Sequence, residues 1–158
     1  MYKVNQQGVT VIEAIVAISI IGIMVVVVGF SVTTYVNARA QLVDNMKAVY
    51  LVEEGYEIIR ALRDEDWGDL DSLTLGDRHY LDVSTTSIDF SSTPEIIDDT
   101  FYRSFVVWGV YRDADDDITS STTPGATLDP DAKEIKVSVS GPYGTSSMRA
   151  ILSNLQAE

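Results

Sequence analysis

Twenty-five consecutive residues, Ala14 to Ala38, carry no charge, and most of them are valine, isoleucine or alanine. A helix of about 20 apolar residues crosses the hydrocarbon core of a bilayer. Lipid offers no partners to the backbone, so a run this long is read as a single helix. A conventional secretory signal fits less well, because its apolar region is about 7–15 residues. The small-residue triplet Ala38-Arg39-Ala40 is the alternative, read as a cleavage site. Lys3 and the initiator amine lie on the short side and the bulk of the chain on the other. The positive-inside rule then puts the leader in the cytoplasm and the rest outside, although Arg39 pulls against it.

Glu13 interrupts the start of this segment. An acid near the centre of a membrane helix costs about 2.5–3.5 kcal/mol, less near an end. Two readings stand side by side. Glu13 is an interfacial acid reaching toward water and favoured by the positive end of the helix dipole. Alternatively, it awaits a cation from another subunit, which offsets its burial and fixes the register between helices.

Charge divides the chain in two. Residues 1–38 hold only Lys3 and Glu13, so the whole net charge of −13 falls on residues 39–158. An acidic head of this kind argues against nucleic-acid binding, which needs a basic face. The chain has no cysteine, which excludes disulfides, CxxC zinc sites and thiol nucleophiles. Its single histidine, His79, rules out a multi-histidine metal cage and reads as a surface residue.

Beyond Arg39 the apolar positions Leu42, Met46, Val49, Tyr50, Tyr56, Ile59 and Leu62 recur at steps near three and four. That is one face of an amphipathic helix. No proline precedes residue 94, and Gly55 is a weak point rather than a stop. The pattern predicts one helix over about residues 9–63, about 80 Å long at 1.5 Å per residue. The acids Asp64-Glu65-Asp66 oppose the helix dipole at its C-terminus and end it near Asp64.

The rest reads as a small antiparallel sheet of three or four strands. A short strand is expected at 79–83. Phe101–Arg112 is the strongest candidate, aromatic and β-branched, apolar on both faces around Val106–Trp108. Lys133–Ser140 alternates, with Ile135, Val137 and Val139 on one face. The turn signal GPYG at 141–144 leads into a last strand at 145–152. The expected fold class is α+β, a long N-terminal helix packed on this sheet. Between strands lies an acidic, Ser/Thr-rich loop at 113–131. There Asp113, Asp115 and Asp117 alternate as the first calcium ligands of an EF-hand loop do. The later ligands fail, with Ile118 and Pro124 at the glycine and glutamate positions. Calcium is therefore a weak candidate as cofactor, against a solvated acidic loop.

The N-terminal pattern of Gly8, Val9-Thr10-Val11-Ile12-Glu13 and a long apolar run resembles the class III signal of type IV prepilins and type II secretion pseudopilins. The common form there is glycine, an aromatic or other apolar residue, Ser or Thr, two aliphatics, then Glu. Val9 departs from the phenylalanine most often found at its position, and the leader has one basic residue. The resemblance implies a ladle-like, pilin-like α+β fold and a leader at 1–8. It also implies a membrane or filament-core helix at 9–38 and a head at 39–158. Prepilin peptidase would cut between Gly8 and Val9 and methylate the new amine of Val9. Glu13 would pair with the N-terminal amine of a neighbouring subunit. The partners implied are other pilin or pseudopilin subunits, the inner-membrane assembly machinery and, before assembly, lipid. The precursor would sit in the inner membrane with its head outside the cytoplasm, and the assembled subunit in a surface filament. The stretch Ala48–Trp67 resembles the corresponding region of minor pilins and minor pseudopilins, which tilts toward a minor subunit.

A membrane-anchored enzyme is the rival class. The head has no GxSxG, no glycine-rich phosphate loop and no cysteine, so no catalytic set is expected. A type II secretion pseudopilin, or a signal-anchored surface protein that never polymerises, remains as an alternative function.

Overall fold

A computed structural model describes residues 10–84 and 87–155. The chain divides after Leu42 into two units, with Val43–Glu158 as the second. Helix α1 spans Val11–Glu65, two residues beyond the expected end. The turn α2, Trp67–Asp71, begins at once, because Asp66 caps it by accepting from Gly68 N at 2.7 Å. The acids expected only to stop a helix therefore also start one.

Seven strands follow among the described residues: β1 Arg78–Val83, β2 Ile88–Ser91, β3 Glu95–Ile97, β4 Phe101–Arg112, β5 Ile118–Thr119, β6 Thr127–Gly141 and β7 Gly144–Ser153. They form one antiparallel sheet in the order β2-β1-β4-β6-β7, with β3 and β5 also paired to β4. The expected three or four strands are β1, β4, β6 and β7. The additional ones, β2, β3 and β5, are two to four residues long, too short for an alternating pattern to emerge from polar sequence. β6 starts before the expected Lys133 and includes Pro130, where its register against β4 shifts between Gly109 and Val110. A bulge is where a strand tolerates proline.

The sheet buries one face under the second half of α1. Phe101, Phe105 and Val107 of β4 alternate inward beside Ile135, Val137 and Val139 of β6, and all six are buried. The helix meets them with Ala48, Val52, Gly55, Ile59 and Arg63, spaced by three and four. This corrects the expected apolar face. Leu42, Met46, Val49 and Tyr50 remain exposed, whereas Tyr56 and Leu62 pack at the margin of the core. Small residues at 48 and 55 let the backbone approach the sheet closely. Complete burial of Ile59 or Phe105 contributes about 1.5–3 kcal/mol each.

A cation crosses this interface from the sheet side. Arg103, on the inward face of β4, is only 2% exposed. Its Nε donates to Glu95 Oε2 at 2.8 Å and its Nη2 to Glu95 Oε1 at 2.5 Å. Its Nη1 donates to Leu51 O and Glu54 Oε2 of α1, both at 3.1 Å. Burial by itself would lower the guanidinium pKa, but hydrogen bonding and charge from Glu95, then Glu54, raise it above the ordinary value. Gly55 makes room for this side chain. A Cβ there would stand 2.8 Å from Arg103 Cδ and 3.2 Å from Val137 Cγ1.

The β3–β4 turn carries strain. Asp98 and Asp99 have φ of 50° and 53°, in the left-handed region, and Thr100 N closes the turn on Ile97 O at 3.2 Å. Asp98 also pairs with Lys47 of α1, so the turn brings an acid to the helix.

Two substitutions test this packing, read by urea unfolding of the chain in nonionic detergent through Trp67 and Trp108. Gly55→Ala is expected to destabilise by about 1–2 kcal/mol, because overpacking outweighs the gain in helix propensity. Asp99→Gly is expected to stabilise by about 0.5–1 kcal/mol by relieving the left-handed strain while sparing the Lys47–Asp98 pair.

Candidate assembly segment and acidic loop

Thr10 opens α1: its carbonyl accepts from Ala14 N at 3.1 Å. Glu13 lies in the first turn and is exposed. Gly8 and Val9, the expected cleavage and methylation residues, lie outside the described residues. From Val11 to Val36 the helix is apolar on every side and wholly exposed, with Val11 at 79% and Phe30 at 74%. A helix apolar all round is matched to a bilayer or to other helices, not to water. It is long and apolar enough to cross a membrane, and none of its apolar window is covered by the chain itself.

Three hydroxyls in this segment turn inward on their own helix. Ser19 donates to Ile15 O at 2.8 Å, Ser31 to Val27 O at 2.9 Å and Thr33 to Gly29 O at 3.0 Å. Such back-bonding satisfies a hydroxyl where no water is available. Glu13 has no comparable partner in its own helix, and its charge is the only one among the described residues from Thr10 to Ala38. Gly22 and Gly29 face open space, and α1 continues through both.

In the head, the three aspartates of the weak calcium pattern lie in one turn but do not converge. Asp113 Oδ1 accepts from Asp115 N at 3.0 Å and from Asp117 N at 3.1 Å, so its carboxylate organises the turn itself. Among the described residues no three acidic or histidine side chains are gathered to hold a metal. Arg112 braces the loop, donating to Asp116 O at 2.8 Å and to Asp129 Oδ2 at 2.6 Å. The Arg112 hydrogen bond, aided by the backbone N–H of Asp131 and by nearby charge, holds the Asp129 carboxyl below the usual carboxylate range. His79 is half-buried rather than at the surface: its ring lies 5.6 Å from that of Phe105, and Nε2 is 2.9 Å from Thr74 O. A lone histidine in polar sequence gives no sign of this, since the burial comes from the strand pairing His79↔Phe105.

Arg103 was the functional group of the head least visible in the sequence. Its position two residues from both Phe101 and Phe105 put a cation on the inward face of β4, which was the available signal.

Comparison with known proteins agrees with the N-terminal segment. Residues 3–29 match the family model of the prokaryotic N-terminal methylation motif. This motif marks precursors of the type IV pilin and pseudopilin kind. No curated protein and no solved structure matches the chain.

The depressed pKa of Asp129 sets a pH dependence. Its contribution to stability is present above the unfolded value, about pH 4, and is lost as pH falls through the lower folded value. Between pH 5 and pH 3 the native chain is expected to lose more stability than Asp129→Asn, measured as the shift of the urea midpoint.

Proposed function

We propose that this chain is a structural subunit of a type IV pilus or a related filament, and not an enzyme. Its precursor is anchored in the inner membrane by α1, with the head outside the cytoplasm. Prepilin peptidase cuts after Gly8 and methylates the amine of Val9. The subunit then joins others through α1, and Glu13 pairs with the N-terminal amine of a neighbour.

The observation that carries this reading is the methylation motif at residues 3–29 laid over an apolar helix with one acid in its first turn. An ionised carboxylate entering a pack of apolar helices is costly unless it meets a cation. A methylated N-terminal amine remains positive, and it is the cation that every processed copy brings. The lipid-facing state is less demanding, because an acid near a helix end reaches the interface. Glu13 is thus tolerated before assembly and stabilising only within it.

Mass spectrometry of the membrane-extracted protein is expected to find N-methyl-Val9 as the first residue; an intact Met1 overturns the processing. Glu13→Ala is expected to leave the amount in the membrane unchanged and to lower incorporation into filaments by at least about tenfold, since losing one partner of a buried pair is severe. Unchanged incorporation overturns the pairing.

A further inference from the structure

The solvent face of the sheet carries a charge pattern that stability does not explain. Nine bases lie between Val43 and Glu158. Seven of them are ion-paired: Lys47, Arg60, Arg63, Arg103, Arg112, Lys133 and Arg149. Arg78 and Lys136 have no acidic partner among the described residues, although acids outnumber bases 24 to 11.

These two bases belong to one cross-strand row. Arg78 of β1 is opposite Val106 of β4, Val106 is opposite Lys136 of β6, and Lys136 is opposite Arg149 of β7. Directly opposed residues share a face, so the row sets three cations on the side away from α1. At about 4.8 Å per strand, the backbones of Arg78 and Lys136 are about 10 Å apart. Like charges directly opposite destabilise a sheet, and Lys136 and Arg149 are such a pair. Arg149 is held by Glu134 at 3.0 Å and lies 5.0 Å over the Trp108 ring, which leaves Arg78 and Lys136 as the open charges.

The neighbouring rows are hydroxyls and tyrosines. Ser104, Ser138 and Ser147 align across β4, β6 and β7, and Tyr102, Ser140 and Thr145 form the next row. Arg78, Tyr80, Tyr102, Ser104, Ser138 and Thr145 line a common recess of about 440 Å³. Glu95 also borders it, with both carboxylate oxygens held by Arg103, and Lys136 lies outside it, beside Ser138 on β6. The Ser140 and Thr145 hydroxyls are 2.8 Å apart. The recess therefore offers aromatic faces, a field of hydroxyls and the open cation of Arg78, with Lys136 on the same face beyond its edge.

We propose that this face binds an acidic glycan, with its carboxylate or sulfate groups at Arg78 and Lys136 and its sugar rings over Tyr80 and Tyr102. Hydroxyl groups of the glycan find donors and acceptors in the serine and threonine rows. The sparseness of the cations selects a ligand of low charge density. A nucleic acid carries a phosphate about every 3.4 Å along each strand, far closer than two cations about 10 Å apart can match. A run of Asp and Glu has no ring to lay over the tyrosines.

The test uses the full chain in nonionic detergent, unassembled, so its outcome does not depend on filament formation. Affinities are measured by thermophoresis at moderate salt for oligogalacturonate, hyaluronate oligosaccharide, neutral dextran, polyglutamate and oligo-dT. Oligogalacturonate or hyaluronate oligosaccharide is expected to bind, more tightly than the other three. Arg78→Ser with Lys136→Ser is expected to weaken that binding by at least about tenfold. Tyr102→Ala is expected to weaken it several-fold without changing the weak affinity for polyglutamate. Urea midpoints check that these surface variants fold. No binding of either acidic glycan overturns the proposal. Affinity unmoved by Arg78→Ser/Lys136→Ser overturns it, as does polyglutamate or oligo-dT binding at least as tightly as the glycans.

Discussion

A guanidinium without access to water fixes how the head is closed. Arg103 spans the interface between sheet and helix, bound to Glu95 through two nitrogens and to α1 through Leu51 O and Glu54. A buried ion pair adds little over a well-packed apolar contact, but breaking one side of it costs several kcal/mol. Its effect here is geometric. Dispersion lets a helix slide and roll on a sheet, whereas a planar fork with two acids and a carbonyl accepts one placement. In a head without cysteine, this contact and the paired strands take the role a crosslink has elsewhere. Gly55 and Arg103 are consequently one unit, since a side chain at residue 55 would occupy the space of the arginine stem.

The first part of α1 obeys the opposite rule. It buries nothing in its own chain, and its apolar surface is complete around the helix. Such a surface acquires its free energy of burial from outside, from lipid or from other helices. The same helix therefore contains a segment whose partner is specified atom by atom and one whose partner is specified by chemistry alone.

The parts legible in the sequence were those with long patterns. The uncharged run, the three- and four-residue steps after Arg39 and the alternation of Ile135, Val137 and Val139 each repeat often enough to fix an element. The α+β layout followed from them. Short strands such as Ile118–Thr119 exist because β4 offers an edge, and no local signal announces that. The inward face of α1 departs from the bulkiest one for a related reason. Bulky residues mark one face, but the sheet takes the face where Ala48 and Gly55 permit approach and where Arg63 reaches Ser153 O at 3.1 Å. Glu13 was conspicuous as an acid in a greasy run. Arg78 and Lys136 were inconspicuous, because their common row exists only once three strands are in register.

The inward-turned hydroxyls of Ser19, Ser31 and Thr33 have a wider consequence. Each has already used its proton within its own turn, so none asks a neighbouring helix for a matching acceptor. From Ala14 to Thr33 the surface is nearly free of directional demands, and a packed neighbour would meet shallow energy differences as it shifts or rotates. In the proposed filament such helices would turn on one another like a lubricated bearing, with the Glu13 pairing as a detent, and the choice of which chain sits beside which would fall to the heads.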